Sequence, residues 1–152
     1  MKSSVLILAI VIFALYACSS DKKAPENTNI SEEKSLVGHV DLTDPLDGQL
    51  IEQGMKIFTS KCTRCHTLDT AEFIVPALAG VTNRRSPEWI MNMIINVDEM
   101  LKQDPVAADL LRRHKKVMPD PMLSVTETRA ILEFLRKNDL EQSGEKDKGV
   151  EE

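Results

Sequence analysis

A small all-α domain is what this sequence predicts, on three observations. Apolar residues recur at spacings of three and four in four separate segments, three of those segments open on residues that start helices, and no stretch alternates apolar and polar residues as a half-buried strand would. The length of 152 residues fits a single domain. The folded body is expected at residues 41–139, between a leader and tether at one end and a polar tail, 140–152, at the other.

The elements follow in chain order. Residues 1–17 run from a basic start at Lys2 through an apolar stretch, Val5 to Ala17, which stops abruptly at Cys18 and Ser19. Thirteen apolar residues fall short of the roughly 20 needed to span a bilayer, so the segment reads as an export leader. Leu15-Tyr16-Ala17-Cys18 resembles the lipobox of bacterial lipoproteins, which implies that Cys18 becomes a lipidated first residue. Residues 18–40, polar and carrying Pro25, then form a flexible tether with a reach of roughly 25 Å. The expected location is the periplasmic face of a bacterial membrane, with a lipid anchor.

From Asp47 to Lys61 the positions Leu50, Ile51, Gly54, Ile57 and Phe58 make one helical face. Ser86-Pro87-Glu88 starts a second helix, with Trp89, Ile90, Met93, Ile94 and Val97 at helical spacing, and Asp104-Pro105 starts a third that runs to about His114. Ser124-Val125-Thr126-Glu127 has the capping-box form, which opens a last helix to about Asn138 with Ile131, Phe134 and Leu135 as its stripe.

Composition limits what such a body can do. Of six aromatics, Phe13 and Tyr16 lie in the leader, leaving Phe58, Phe73, Trp89 and Phe134 for a core. A domain this poor in large apolar residues is expected to need a staple, a metal or a cofactor. Three cysteines, one of them at the end of the leader, do not make a disulfide scaffold. A net charge of −5 argues against nucleic acid as a partner, and the scattered glycines form no phosphate-binding loop.

Cys62-Thr63-Arg64-Cys65-His66 is the most informative stretch. In an exported protein a CxxCH run reads as covalent attachment of c-type haem: thiols one helical turn apart reach two vinyl groups of one porphyrin edge, and the adjacent imidazole reaches the iron. The alternatives are a thioredoxin-like pair, which wants a strand before it, half of a zinc site, which wants four ligands where only the distant His39 and His114 remain, and a simple disulfide.

With Gly54-xxx-Phe58-xxx-Cys62, CxxCH, Pro76-Ala77-Leu78-Ala79-Gly80 with Arg84, and Met118-Pro119 ahead of the last helix, residues 47–138 resemble the class I monohaem cytochrome c family. The resemblance implies the cytochrome c fold around one covalent haem c. It also implies a crossing of the terminal helices at Gly54 against Phe134 or Leu135, and a Pro76 carbonyl that receives the imidazole proton of His66. His66 and Met118 would then be the iron ligands. Met55, Met91, Met93 and Met100 fall in helical segments, where methionine is usually core filling, while Met118 and Met122 fall in the loop before the last helix. Met118 matches the Met-Pro loop of the family; Met122 is the alternative. His39 and His114 are read as surface residues.

The expected function is that of a membrane-tethered carrier of single electrons between respiratory components, with a terminal oxidase or reductase as partner and no small-molecule substrate. Two other readings stand beside it: a haem enzyme or ligand sensor with an open sixth position, and a haem-free thiol–disulfide lipoprotein. Arg112-Arg113-His114-Lys115-Lys116, with Lys61 and Arg64, is a candidate docking rim for an acidic partner, or else a set of cations favoured at a helix C-terminus.

Overall fold

A computed structural model describes residues 36–72 and 74–144. The leader, Cys18, Phe73 and the tail beyond Gly144 lie outside the described residues. Among the described residues six helices follow one another: α1 (Gly48–Lys61), α2 (Val81–Arg84), α3 (Pro87–Ile95), α4 (Val97–Gln103), α5 (Pro105–His114) and α6 (Val125–Ser143). No strand occurs among the described residues, as the all-α expectation requires.

Four of the starts, those of α1, α3, α5 and α6, carry a side-chain cap, whereas α2 and α4 have none. Asp47 accepts from the backbone N–H of Gln49 (2.7 Å) and Leu50 (3.2 Å), and Ser86 from that of Trp89 (3.3 Å). Asp104 accepts from the N–H of Ala107 (2.7 Å). The capping box of α6 is complete: Ser124 N–H donates to Glu127 (2.9 Å), and Glu127 N–H donates to the Ser124 hydroxyl (3.2 Å). Each such cap is worth about 1 kcal/mol.

Two helices differ from their expected extent. The apolar run through Val97 is cut at Asn96 (φ −124°, ψ 33°), whose side chain turns back to donate to Asn92 (2.9 Å), and α4 begins afresh at Val97. The last helix passes Asn138 and ends only where Gly144 supplies a left-handed cap (φ 70°).

α1 and α6 cross at Gly54. A Cβ there would lie 2.0 Å from the carbonyl oxygen of Ala130 and 2.9 Å from Cβ of Phe134, so backbone contact with Ala130, rather than a contact with Leu135, is what demands glycine. One turn on, Phe58 and Phe134 meet with ring centroids 5.4 Å apart at 50°, a tilted aromatic pair. Phe58, Met91, Ile131 and Leu132 are the largest fully buried apolar side chains among the described residues.

Packed structure begins before residue 41, the expected start of the domain. Val37 N–H donates to Asn92 (2.8 Å), Asn92 donates back to the Val37 carbonyl (3.0 Å), and Val40 N–H donates to Glu88 (2.9 Å). The following turn is tied to α6 through Glu133, which is fully buried. Glu133 accepts from the Thr43 hydroxyl (2.7 Å) and Asp47 N–H (2.9 Å) and pairs with Arg129 (2.6 Å) and Arg136 (2.8 Å). Burial pushes this carboxyl up, but the donors outweigh it and hold it below the ordinary carboxylate range.

Candidate functional site

The CxxCH run sits where α1 gives out. Its helical winding continues for one more turn, with the N–H groups of Cys65 (3.1 Å) and His66 (3.0 Å) both donating to the Cys62 carbonyl. Cys62, Cys65 and His66 thereby line one cavity of about 710 Å³, within the roughly 300–1,000 Å³ usual for cofactor sites.

The chain then doubles back, with Leu78 N–H donating to the Thr67 carbonyl (3.0 Å), and brings Pro76 beside the imidazole. His66 Nδ1 lies 3.0 Å from the Pro76 carbonyl oxygen. That oxygen can only accept, so Nδ1 carries the proton and Nε2 keeps a free lone pair. Burial pushes the His66 imidazole below its ordinary value, against the pull of the Pro76 bond, which favours the neutral form that a metal ligand requires. Burial likewise pushes the Cys62 thiol up, against the attraction of Lys61, the reverse of an activated thiolate.

Another wall of the cavity is the loop between α5 and α6. Met118 is half-buried there and lines the cavity. Met122 reaches the rim but is 84% exposed, on a backbone with φ 52°. Trp89 Nε1 and His114 Nε2 are buried along the same cavity with no partner among the protein atoms.

These features fit a haem. Two thiols, an imidazole with its lone pair available and a thioether are the donor set of a c-type centre, and two orphaned polar groups suit a large apolar group with a polar periphery. Among the described residues no group of three or more His, Cys, Asp and Glu is placed to hold a metal ion, so the zinc alternative finds no site.

Two expectations need revision. His114 is not a surface residue in the sense expected, because its Nε2 is turned out of solvent. His39, by contrast, is exposed, 3.2 Å from Asp41. The run 112–116 is also not one patch: Arg112 and Arg113 both pair with Asp109, the latter at 2.8 Å, and Lys115 caps α5 with φ 52°. Arg113 and Lys116 do line the cavity, together with Lys61, Arg64, Arg84 and Arg85, against the acids Glu72 and Asp120. Arg85 lies over the Trp89 ring at 5.1 Å. Of the two arginines after the Pro76–Gly80 loop, the sequence marks only Arg84, as part of a motif, and neither as part of a rim.

Residues 51–139 match the cytochrome c family. Among solved structures, the chain is similar to a cytochrome c from Rhodothermus marinus at 41% identity, covering 71% of this chain and 92% of that one, with a TM-score of 0.69. It is also similar to an engineered form of the R. marinus protein, bound to the carbene intermediate 1-ethoxy-1-oxopropan-2-ylidene, at 40% identity (69% and 90% covered, TM-score 0.64). A third similar structure, at 29% identity, is the cytochrome c domain of a Pseudomonas putida protein (60% and 93% covered, TM-score 0.52). No curated protein matches the chain.

Proposed function

We propose that this chain, which belongs to the cytochrome c family and carries covalently bound haem c, passes single electrons between redox proteins with His66 and Met118 as its iron ligands. The observation that carries the reading is the 3.0 Å contact of His66 Nδ1 with the Pro76 carbonyl, in the same cavity that Met118 lines. The haem, when bound, supplies one-electron iron chemistry.

What the protein supplies is placement. Cys62 and Cys65 offer the two thiols for attachment, and Pro76 fixes the tautomer of His66 and makes its imidazole a stronger donor. Met118 offers a thioether, a ligand that raises the potential relative to a second imidazole and leaves no position for oxygen. Half-buried Met118 suits this role better than the solvent-facing Met122. Trp89 Nε1 and the Arg84 and Arg85 side chains line the cavity and would be donors for carboxylate groups of the macrocycle. Lys61, Arg64, Arg113 and Lys116 give the cavity rim a positive bias in a chain of net charge −5, suited to an acidic redox partner.

Anchoring completes the reading. Among the described residues no helix is long and apolar enough to cross a membrane. Membrane attachment is assigned to the proposed lipid on Cys18, on the strength of the lipobox-like Leu15-Tyr16-Ala17-Cys18, with export to the periplasmic face and a membrane-held oxidase or reductase as acceptor. Two measurements test the proposal. The mature protein should weigh one porphyrin more than its polypeptide plus lipid, and the reduced protein should bind carbon monoxide slowly or not at all. Rapid binding would favour the open-site alternative, for which the engineered R. marinus structure with its carbene is a precedent in a similar fold. A colourless polypeptide of unmodified mass would leave the thiol–disulfide reading.

A further inference from the structure

α6 carries two carboxylates that are almost wholly out of solvent, Glu133 and Asp139, at 0% and 1% exposure. Glu133 is matched by two arginines. Asp139 is bound instead by neutral donors, all but one from the end of a single loop and the first turn of α2: Gly80 N–H at 2.7 Å on one oxygen, where Asn138 of α6 also donates at 3.3 Å, and Thr82 N–H (2.9 Å) and the Thr82 hydroxyl (2.7 Å) on the other. Burying a carboxylate this way is costly unless every bond is made, so the loop has one position in which Asp139 is satisfied.

That loop is the one that reaches His66. Its outgoing limb leaves His66 through Thr67, Leu68 and Asp69, and its returning limb carries Pro76, Leu78 and Gly80. The limbs are joined by Leu78 N–H to the Thr67 carbonyl (3.0 Å) and by the His66–Pro76 contact itself (3.0 Å). The last turns of α6 grip both. Asn138 (3.3 Å) and Gln142 (2.6 Å) donate to the Leu68 carbonyl on the outgoing limb, while Asp139 collects Gly80 and Thr82 at the end of the returning one.

We propose that Asp139 is a positioning residue for the iron ligand: by fixing the Gly80–Thr82 end of the loop it sets the strength of the His66 Nδ1–H bond to the Pro76 carbonyl, and through it the reduction potential. The inference rests on His66 being an iron ligand. A well-made Nδ1–H bond increases the donor strength of the imidazole and favours the oxidised iron, so loosening it raises the potential.

The holoprotein tests this through its midpoint potential and the exchange rate of the His66 Nδ1 proton. Asp139→Asn replaces one accepting oxygen by an NH₂ group facing donors. It should raise the potential by up to about tenfold in the reduction equilibrium, about 59 mV for one electron, and speed exchange. Thr82→Val, which removes the hydroxyl donor alone, should move both in the same direction by less, and Thr82→Ser should restore both. Glu133→Gln, on the same helix but tied to the 43–47 turn, should lower thermal stability with the potential unchanged. Unmoved potential and exchange in Asp139→Asn overturn the proposal. So does an equal shift in Glu133→Gln. If Asp139→Asn yields no holoprotein, Thr82→Val decides, and its matching the parent overturns the proposal. Failure of the ligand assignment is separate, since the parent protein itself would then lack an iron-coupled imidazole proton.

Discussion

The loop that carries His66 and the loop that carries Met118 border one cavity but are secured by different means. On the His66 side each limb is bonded to the other and to α6, through Pro76, Leu78, Gly80 and Thr82. On the Met118 side the chain is shaped mainly by local chemistry: Lys115 and Met122 both take φ 52°, Asp120 accepts from the Met122 N–H (2.8 Å), and Pro119 and Pro121 have no N–H to give. Val117 and Met122 are 56% and 84% exposed there, and Lys61 reaches across from α1 to the Pro121 carbonyl (3.1 Å). A ligand seated by a buried network is in position before the metal arrives; a ligand on an exposed loop depends more on its bond to the iron. The proposed carrier uses the first kind beside the covalent attachment and the second on the loop that closes the site.

The sharpest way to break the comparison is to remove each ligand in turn. His66→Ala should abolish the mature holoprotein, read as loss of the visible spectrum and of the porphyrin mass. Met118→Ala should keep both, bind carbon monoxide rapidly when reduced, and have a lower potential. Equal behaviour of the two variants would remove the distinction. Next in size, Gly54→Ala strikes the crossing on which both walls depend. With a carbonyl oxygen 2.0 Å from the new Cβ, α1 and α6 must separate, at a cost of about 1–3 kcal/mol or more in chemical unfolding.

Acid should reach the scaffold through Glu133. Its folded-state carboxyl lies below the ordinary glutamate value, so its contribution is complete above that value and is lost as pH falls from there through the lower folded one. Unfolding free energy should fall over that window, and Glu133→Gln should flatten the dependence. The smallest effect belongs to Lys61→Met. An exposed hydrogen bond is worth about 0.5–1.5 kcal/mol at most, so stability should barely change while amide exchange rises in residues 115–124 and stays constant in 66–82.

Much of this arrangement was legible in the sequence. Helix starts at Asp47, Ser86, Asp104 and Ser124 are local chemistry, and each caps as its residue type predicts. The CxxCH run was readable because the spacing of its thiols and imidazole answers to the geometry of one flat cofactor, while Pro76 and Met118 were readable through the resemblance to the cytochrome c family. Glu133 and Asp139 were not. Each interrupts the apolar stripe of α6 and reads as an exposed acid, because what buries it arrives from residues 43–47 or 80–82, far away in sequence. The same holds for Asn92, which receives Val37 across 55 positions and so extends packing into a stretch whose composition reads as tether. His114 looked like a cation among cations; only the turn of α5 beside the cavity shows its Nε2 facing inward.

The assignment of the iron ligands is tested most directly by proton NMR of the reduced protein with labelled methionine methyl groups. A thioether on the iron places its methyl in the ring current of the macrocycle and shifts it far upfield. One such signal is expected in the parent and in Met122→Ala and none in Met118→Ala; a signal that survives Met118→Ala, or is missing from the parent, contradicts the assignment.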